Sequence, residues 1–198
     1  MRVTFDTQTL DPITLPRRVA CKAINESLKS GRLQGFICET MLTVEGQPPR
    51  EETLIRVRRA LDLGCRILSA PRRGSRRLDD PSGELYAQDA DESALATRLH
   101  RFESIAAAIE ARGLGFARMS KAPAAGRKAA RAVAEWADGD SVAAHHGYAN
   151  DLFCTEDRAA RAGRKSVLHP AYRGWLRRAY GVEFVTMAEL AVRLEGLD

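Results

Sequence analysis

Short apolar runs alternate along this chain with stretches in which apolar residues recur every three or four positions, a pattern that predicts strands alternating with helices. Residues 2–5 predict a strand that ends at Asp6, followed by a turn region through Pro12 and Pro16. Residues 17–30 carry Val19, Ala20, Ala23, Ile24 and Leu28 at helical spacing, with Pro16 suited to the first turn and Gly31 to the stop. Residues 33–38 read as a second strand, apolar enough to be buried on both faces. Residues 39–45 predict a helix that Gly46, Pro48 and Pro49 interrupt, residues 51–63 a further helix and residues 65–69 a strand. The stretch 71–91, rich in Pro, Gly, Arg and Asp, reads as a loop or small insertion.

In the second half, Leu95, Leu99, Phe102, Ile105, Ala106 and Ile109 mark a long amphipathic helix over 92–112 that Gly113 closes. Two shorter helices are expected over 127–136 and 140–148, then a strand over 152–154, a last strand over 182–185 and a helix over 187–194. The class that follows is α/β, a three-layer α/β/α arrangement around a central, mainly parallel sheet. With 198 residues, 44% of them hydrophobic, the chain suits one domain spanning 1–198 with a basic insertion or loop around 46–91.

Charge adds a mild bias. Lys and Arg number 31 against 26 for Asp and Glu, a formal net charge of +5 that leans toward polyanionic partners. Cys21, Cys38, Cys65 and Cys154 lie in or beside apolar stretches without a C-x-x-C pair, the pattern of buried, reduced thiols. No apolar run is long enough for a signal peptide or a membrane span, so a cytoplasmic protein is expected.

Against that basic background stand four acids, Asp6, Glu45, Asp140 and Asp157, each where a strand ends or near a helix start. Ligands of parallel sheets gather at the carboxyl ends of the strands, so four dispersed acids can converge on one pocket there. Such carboxylates repel one another unless a cation neutralises them, and hard oxygen donors favour Mg²⁺ or Mn²⁺. A basic protein with an acidic metal pocket points to phosphodiester hydrolysis. Asp138 competes with Asp140, and Glu39 with Glu45, for the same places. Each acid also has a plainer role open to it, as a helix or turn cap or a solvated charge.

The motifs in their order resemble the PIN-domain family of nucleases. The opening V-T-F-D-T-Q-T is similar to that family's strand followed by Asp-Thr-Asn, and F-I-C-E-T-M-L-T-V-E to its second acidic segment. D-S-V-A-A-H and L-F-C-T-E-D resemble the third acid and the closing Thr-x-Asp, and G-V-E-F-V-T-M-A-E-L the last strand and helix. The resemblance implies a metal-dependent ribonuclease in which Asp6, Glu45, Asp140 and Asp157 bind the metal and Thr155 hydrogen-bonds one carboxylate. It implies RNA as the partner, an antitoxin-like protein if the chain is a toxin component, and a homodimer. Gln8 stands where the family has Asn, so a longer amide takes over the orienting of Asp6. A different class, a PIN-like module that binds RNA or a protein partner without cutting, is the rival reading.

Other residues invite chemistry with less support. Arg72, Arg73, Arg76 and Arg77 sit in a Gly- and Ser-containing loop that suits either a phosphate grip or plain solvation. Arg158, Arg161, Arg164 and Lys165 follow Asp157 and fit the rim of the pocket or a solvated helix face. His145 and His146 point in different directions from one helix, so packing or surface roles suit them better than a joint site. Trp136 and Trp175 fit a core better than base stacking.

Overall fold

In a computed structural model of the chain, the described residues are 1–6, 8–9, 19–41, 51–69, 92–119, 121, 126–159 and 163–196. Five parallel strands form one sheet: β1 (Arg2–Phe5), β2 (Gln34–Cys38), β3 (Arg66–Leu68), β4 (Leu152–Cys154) and β5 (Phe184–Val185). Their spatial order is β3-β2-β1-β4-β5. Among the described residues seven α-helices accompany them: α1 (Val19–Lys29), α2 (Glu51–Asp62), α3 (Glu92–Ala111), α4 (Phe116–Met119), α5 (Arg127–Gly147), α6 (Pro170–Tyr180) and α7 (Met187–Glu195).

The two faces of the sheet carry separate cores because strand side chains alternate between faces. Val3, Phe5, Ile37, Ile67, Leu152 and Cys154 meet Cys21, Ile24 and Leu28 of α1, Val57 and Ala60 of α2, and Met187, Leu190 and Leu194 of α7. Phe36, Cys38, Leu68 and Phe153 point the other way, toward Phe102, Ile105 and Ile109 of α3, Val142 to Ala144 of α5 and Leu176 of α6. The result is the three-layer α/β/α fold expected from the alternation. The four cysteines are free and buried. Among the described residues no helix is long and apolar enough to cross a membrane.

Close packing against the first face depends on Gly35. A Cβ there would come 2.6 Å from Cys65 Sγ, 2.7 Å from Leu28 Cδ2 and 3.2 Å from Phe5 Cε2, all core atoms. Gly35→Ala should therefore destabilise the protein by about 1–3 kcal/mol in denaturant unfolding, the usual cost of overpacking a full core. An unchanged midpoint would show that β2 or its neighbours shift freely.

The helices depart from the sequence reading at several points: α4 has no counterpart in it, and Glu39–Met41, where the helix expected over 39–45 would start, is a 3-10 turn, residues 42–45 lying outside the described residues. The expected pair over 127–136 and 140–148 is one continuous helix, α5. Gly139, a weak helix former, reads as a break, yet it lets α5 approach α4: an added Cβ would lie 3.0 Å from the Cα of Gly115. Helix α6 was not anticipated at all. Its signals are local: Pro170 at the first position, His169 Nδ1 accepting from the Ala171 N–H at 3.1 Å, and Gly181 at φ 70° closing the end. Helix α7 starts on a capping box in which Thr186 and Glu189 bond reciprocally.

The chain winds outward from β1 through β2 to β3, then crosses back to β4 on the other side of β1 and on to β5. The strand order reverses between β1 and β4. In open parallel sheets such a reversal splays the flanking connections apart and leaves a crevice beyond the carboxyl ends of those two strands.

Candidate functional site

Asp6 and Asp157 both emerge at that crevice. The Asp6 N–H donates to Cys154 O at 3.0 Å, which carries the β1–β4 ladder one step past the strand, and its side chain is only 5% exposed. Thr155, the first residue after β4, is 1% exposed and bridges the two acids. Its hydroxyl donates to Asp6 Oδ2 at 2.7 Å and accepts from the Asp157 N–H at 3.0 Å. Asp157 Oδ1 accepts from the Ala159 N–H at 2.6 Å, and its Oδ2 from Gln8 Nε2 at 3.0 Å. Gln8 thus steadies Asp157, where the resemblance had it orient Asp6.

Thr155→Val keeps the shape of the side chain and removes both bonds. A loss of about 1–3 kcal/mol in unfolding free energy is expected from leaving these buried partners without their hydroxyl. A neutral substitution would mean that water replaces the hydroxyl without cost.

The third acid at the crevice comes from α5. Asp138 is half-buried, and Ser166 Oγ lies 3.4 Å from its Oδ2, a weak bond. Burial pushes its carboxyl well above the ordinary carboxylate range, and the charges of Asp6, Glu135 and Asp157 push it the same way, while the Ser166 hydroxyl opposes the rise. Glu135 stands one turn before it on the same helix and is 6% exposed.

Asp140 lies two residues further on, which turns it roughly 200° around the helix axis. It is 1% exposed and stands close to the end of β2, where its charge helps raise the Cys38 thiol. Burial dominates that rise, to about 11, while bonds from Thr40 and Ser141 oppose it. Glu39 is fully buried in the 3-10 turn Glu39–Met41 that follows β2. Glu45 and the loop arginines Arg72, Arg73, Arg76 and Arg77 lie outside the described residues, as does Arg161.

Arg173 of α6 closes one side of the crevice. Its Nη2 donates to the main-chain oxygen of Asp157, its Nε to Leu168 O at 3.0 Å, and its guanidinium sits 5.1 Å from the centre of the Phe184 ring. Burial disfavours its cation, and Asp157 and Asp6 act to keep it charged. It was missed in the sequence because α6 was missed.

The two histidines stand apart from the acids. His145, 1% exposed, meets Thr4 Oγ1 through Nδ1 at 2.9 Å and packs edge-on against Phe153. Asn150 Nδ2 donates to the same Thr4 oxygen at 2.9 Å, so the hydroxyl proton points at Nδ1 and the ring proton is assigned to Nε2. Burial drives the His145 pKa down to about 3, with a smaller push from His146. Trp136 is buried, and half-buried Trp175 carries Arg112 over its ring at 3.7 Å.

The donor set at the crevice is carboxylate supported by a hydroxyl and an amide, the hard oxygen chemistry that suits Mg²⁺ or Mn²⁺. Among the described residues no three histidine, cysteine, aspartate or glutamate side chains are grouped as a metal site. Asp6, Asp138 and Asp157 interact there through their charges. No protein-family model matches the chain, and no curated protein matches it.

Proposed function

We propose that this chain is a divalent-metal-dependent ribonuclease of the PIN type that works at the crevice between β1 and β4. The observation that carries the reading is the position of three acids from three separate elements. Asp6 after β1, Asp157 after β4 and Asp138 on α5 share the strand-order reversal, where they raise the proton affinity of Asp138. Like charges brought together without stabilising the fold are characteristic of functional sites.

In this reading Asp6, Asp138 and Asp157 hold the metal, with Glu45 added by the resemblance. Asp138 is put forward for the third place, beside Asp140, because Asp6 and Asp157 perturb its carboxyl. Thr155 and Gln8 fix the directions in which Asp6 and Asp157 present their oxygens. Arg173 holds the Asp157 backbone and leaves a cation at the rim, where a phosphodiester would approach. A bound divalent ion would supply a water of lowered pKa and stabilise charge on phosphorus and on the leaving oxygen. No side chain is needed as nucleophile.

The test is cleavage of labelled single-stranded RNA, with DNA alongside, in Mg²⁺, in Mn²⁺ and in EDTA, with Asp6→Asn as the contamination control. Metal-dependent cutting that disappears in the variant is expected. RNA retention without turnover in any metal would replace this reading by a binding module on the same fold.

A further inference from the structure

A groove of about 890 Å³ opens beside the acids, between α6, β5 and α7. Four arginines line it, Arg158, Arg173, Arg177 and Arg193, against two glutamates, with Phe184 and Val192 among its apolar walls. Both glutamates are already engaged locally. Glu183 pairs with Arg193, and Glu189 closes the capping box of α7 with Thr186. Arg173 is anchored by two main-chain oxygens at the end nearest the acids. Arg158 and Arg177 are exposed, and among the described residues neither pairs with a carboxylate.

The groove is therefore a cationic channel that starts at the acidic crevice. Arg158 follows Asp157 directly in the chain, and Arg173 touches the Asp157 backbone. A carboxylate site repels a polyanion, so an enzyme acting on one needs positive charge placed to the side of the metal rather than in it. We infer that this groove holds the sugar-phosphate backbone of a single-stranded RNA as it leaves the cleavage site, with Arg158 and Arg177 gripping phosphates. The inference rests on the ribonuclease reading for the identity of the ligand. Arg173 fixes where the track begins, since two of its five N–H donors hold protein oxygens there. The planar guanidinium forks of Arg158 and Arg177 can take phosphate oxygens in pairs. Their contact is with backbone, so it predicts tight salt dependence and no sequence preference.

The experiment is fluorescence anisotropy of a labelled 12-nucleotide single-stranded RNA with the full chain in EDTA, over a series of salt concentrations. The proteins compared are the wild type, Arg158→Ala, Arg177→Ala, the double variant and Arg178→Ala as a control outside the groove. Each groove substitution should weaken binding roughly tenfold, the scale of one charge-assisted contact. The double variant should lower the slope of log K against log salt by about 1.4, two contacts at about 0.7 each. Arg177→Lys should recover most of the slope. Cleavage of the same RNA in Mn²⁺ is measured in parallel. A wild type that cuts, with variants that bind RNA as it does, overturns the groove and leaves the ribonuclease reading standing. Groove-dependent binding without cutting supports the groove and overturns the nuclease. Loss of binding to a polyglutamate peptide, with RNA binding unchanged, would assign the groove to an acidic protein segment and overturn the proposal.

Discussion

Asp138→Asn is expected to reduce metal-dependent RNA cleavage by about 10³-fold while raising the melting temperature measured in EDTA. The first effect follows from removing one carboxylate from a metal worth several kcal/mol of transition-state stabilisation, at about 1.4 kcal/mol per tenfold. The second follows from the sign of the perturbation at this residue. Burial and the neighbouring Asp6, Glu135 and Asp157 raise its folded-state pKa, so the folded protein binds that proton more tightly than the unfolded chain. Stability is then lost as pH rises from the ordinary aspartate range through the raised value, and at neutral pH the charged form opposes folding. An amide of the same shape removes that opposition, with each kcal/mol regained appearing as roughly 2–4 °C.

The same variant should lose its response to metal. For the wild type, Mn²⁺ at a hundred times its dissociation constant should add about 2.7 kcal/mol of stability, and Asp138→Asn should show little of it. Activity should rise with pH as Asp138 deprotonates. If Asp140→Asn loses cleavage and metal response while Asp138→Asn keeps both, the third place belongs to Asp140. A variant less stable than wild type in EDTA would show that Asp138 supports the fold instead of straining it.

The second large effect is on acid stability, and its origin is His145. Its folded-state pKa of about 3 lies below the ordinary histidine value of 6.5, so between those values the unfolded chain binds a proton that the folded protein refuses. Stability is complete above pH 6.5 and falls by about 1.4 kcal/mol per unit below it, until roughly 5 kcal/mol has gone near pH 3. A whole domain is worth about 5–15 kcal/mol, so this one imidazole is enough to bring acid unfolding within reach. Half-buried His146, lowered mainly by burial, acts in the same direction. Urea unfolding of the wild type should lose roughly 2 kcal/mol from His145 between pH 6.5 and 4.5. His145→Asn, which keeps an acceptor for the Thr4 hydroxyl, should be less stable at pH 7 and flatter with pH. Parallel slopes for the two proteins would refute this account.

Much of the fold was legible because its signals are local. The strand at 2–5 and that at 152–154 are short apolar runs ending in Asp6 and in Thr155 to Asp157, and β1 and β4 bear out both positions. Residues 127–147 show where local reading fails. The sequence reading divides them into two helices, whereas the structure has one, in which Gly139 packs closely against Gly115 just before α4.

The choice between Asp138 and Asp140 turns on whether that helix is broken. If a helix begins at 140, Asp140 is its cap; within an unbroken helix, Asp138 and Asp140 face different ways, and Asp138 meets the charges of Asp6 and Asp157. Gln8 was noted in the sequence as a departure from Asn, but its partner Asp157 lies 149 residues away, a contact that no local pattern encodes. The arginine groove is more distant still from sequence reasoning, since it combines Arg158, residues of α6 and residues of α7 around the end of β5. By itself the sequence determined the α/β class, the two strand-end acids and the thiol character of the cysteines, because periodicity and burial are properties of neighbours along the chain. Tertiary structure alone decided that Asp138 meets the charges of Asp6 and Asp157 and where the groove arginines lie, because like charges meet only after distant elements have packed.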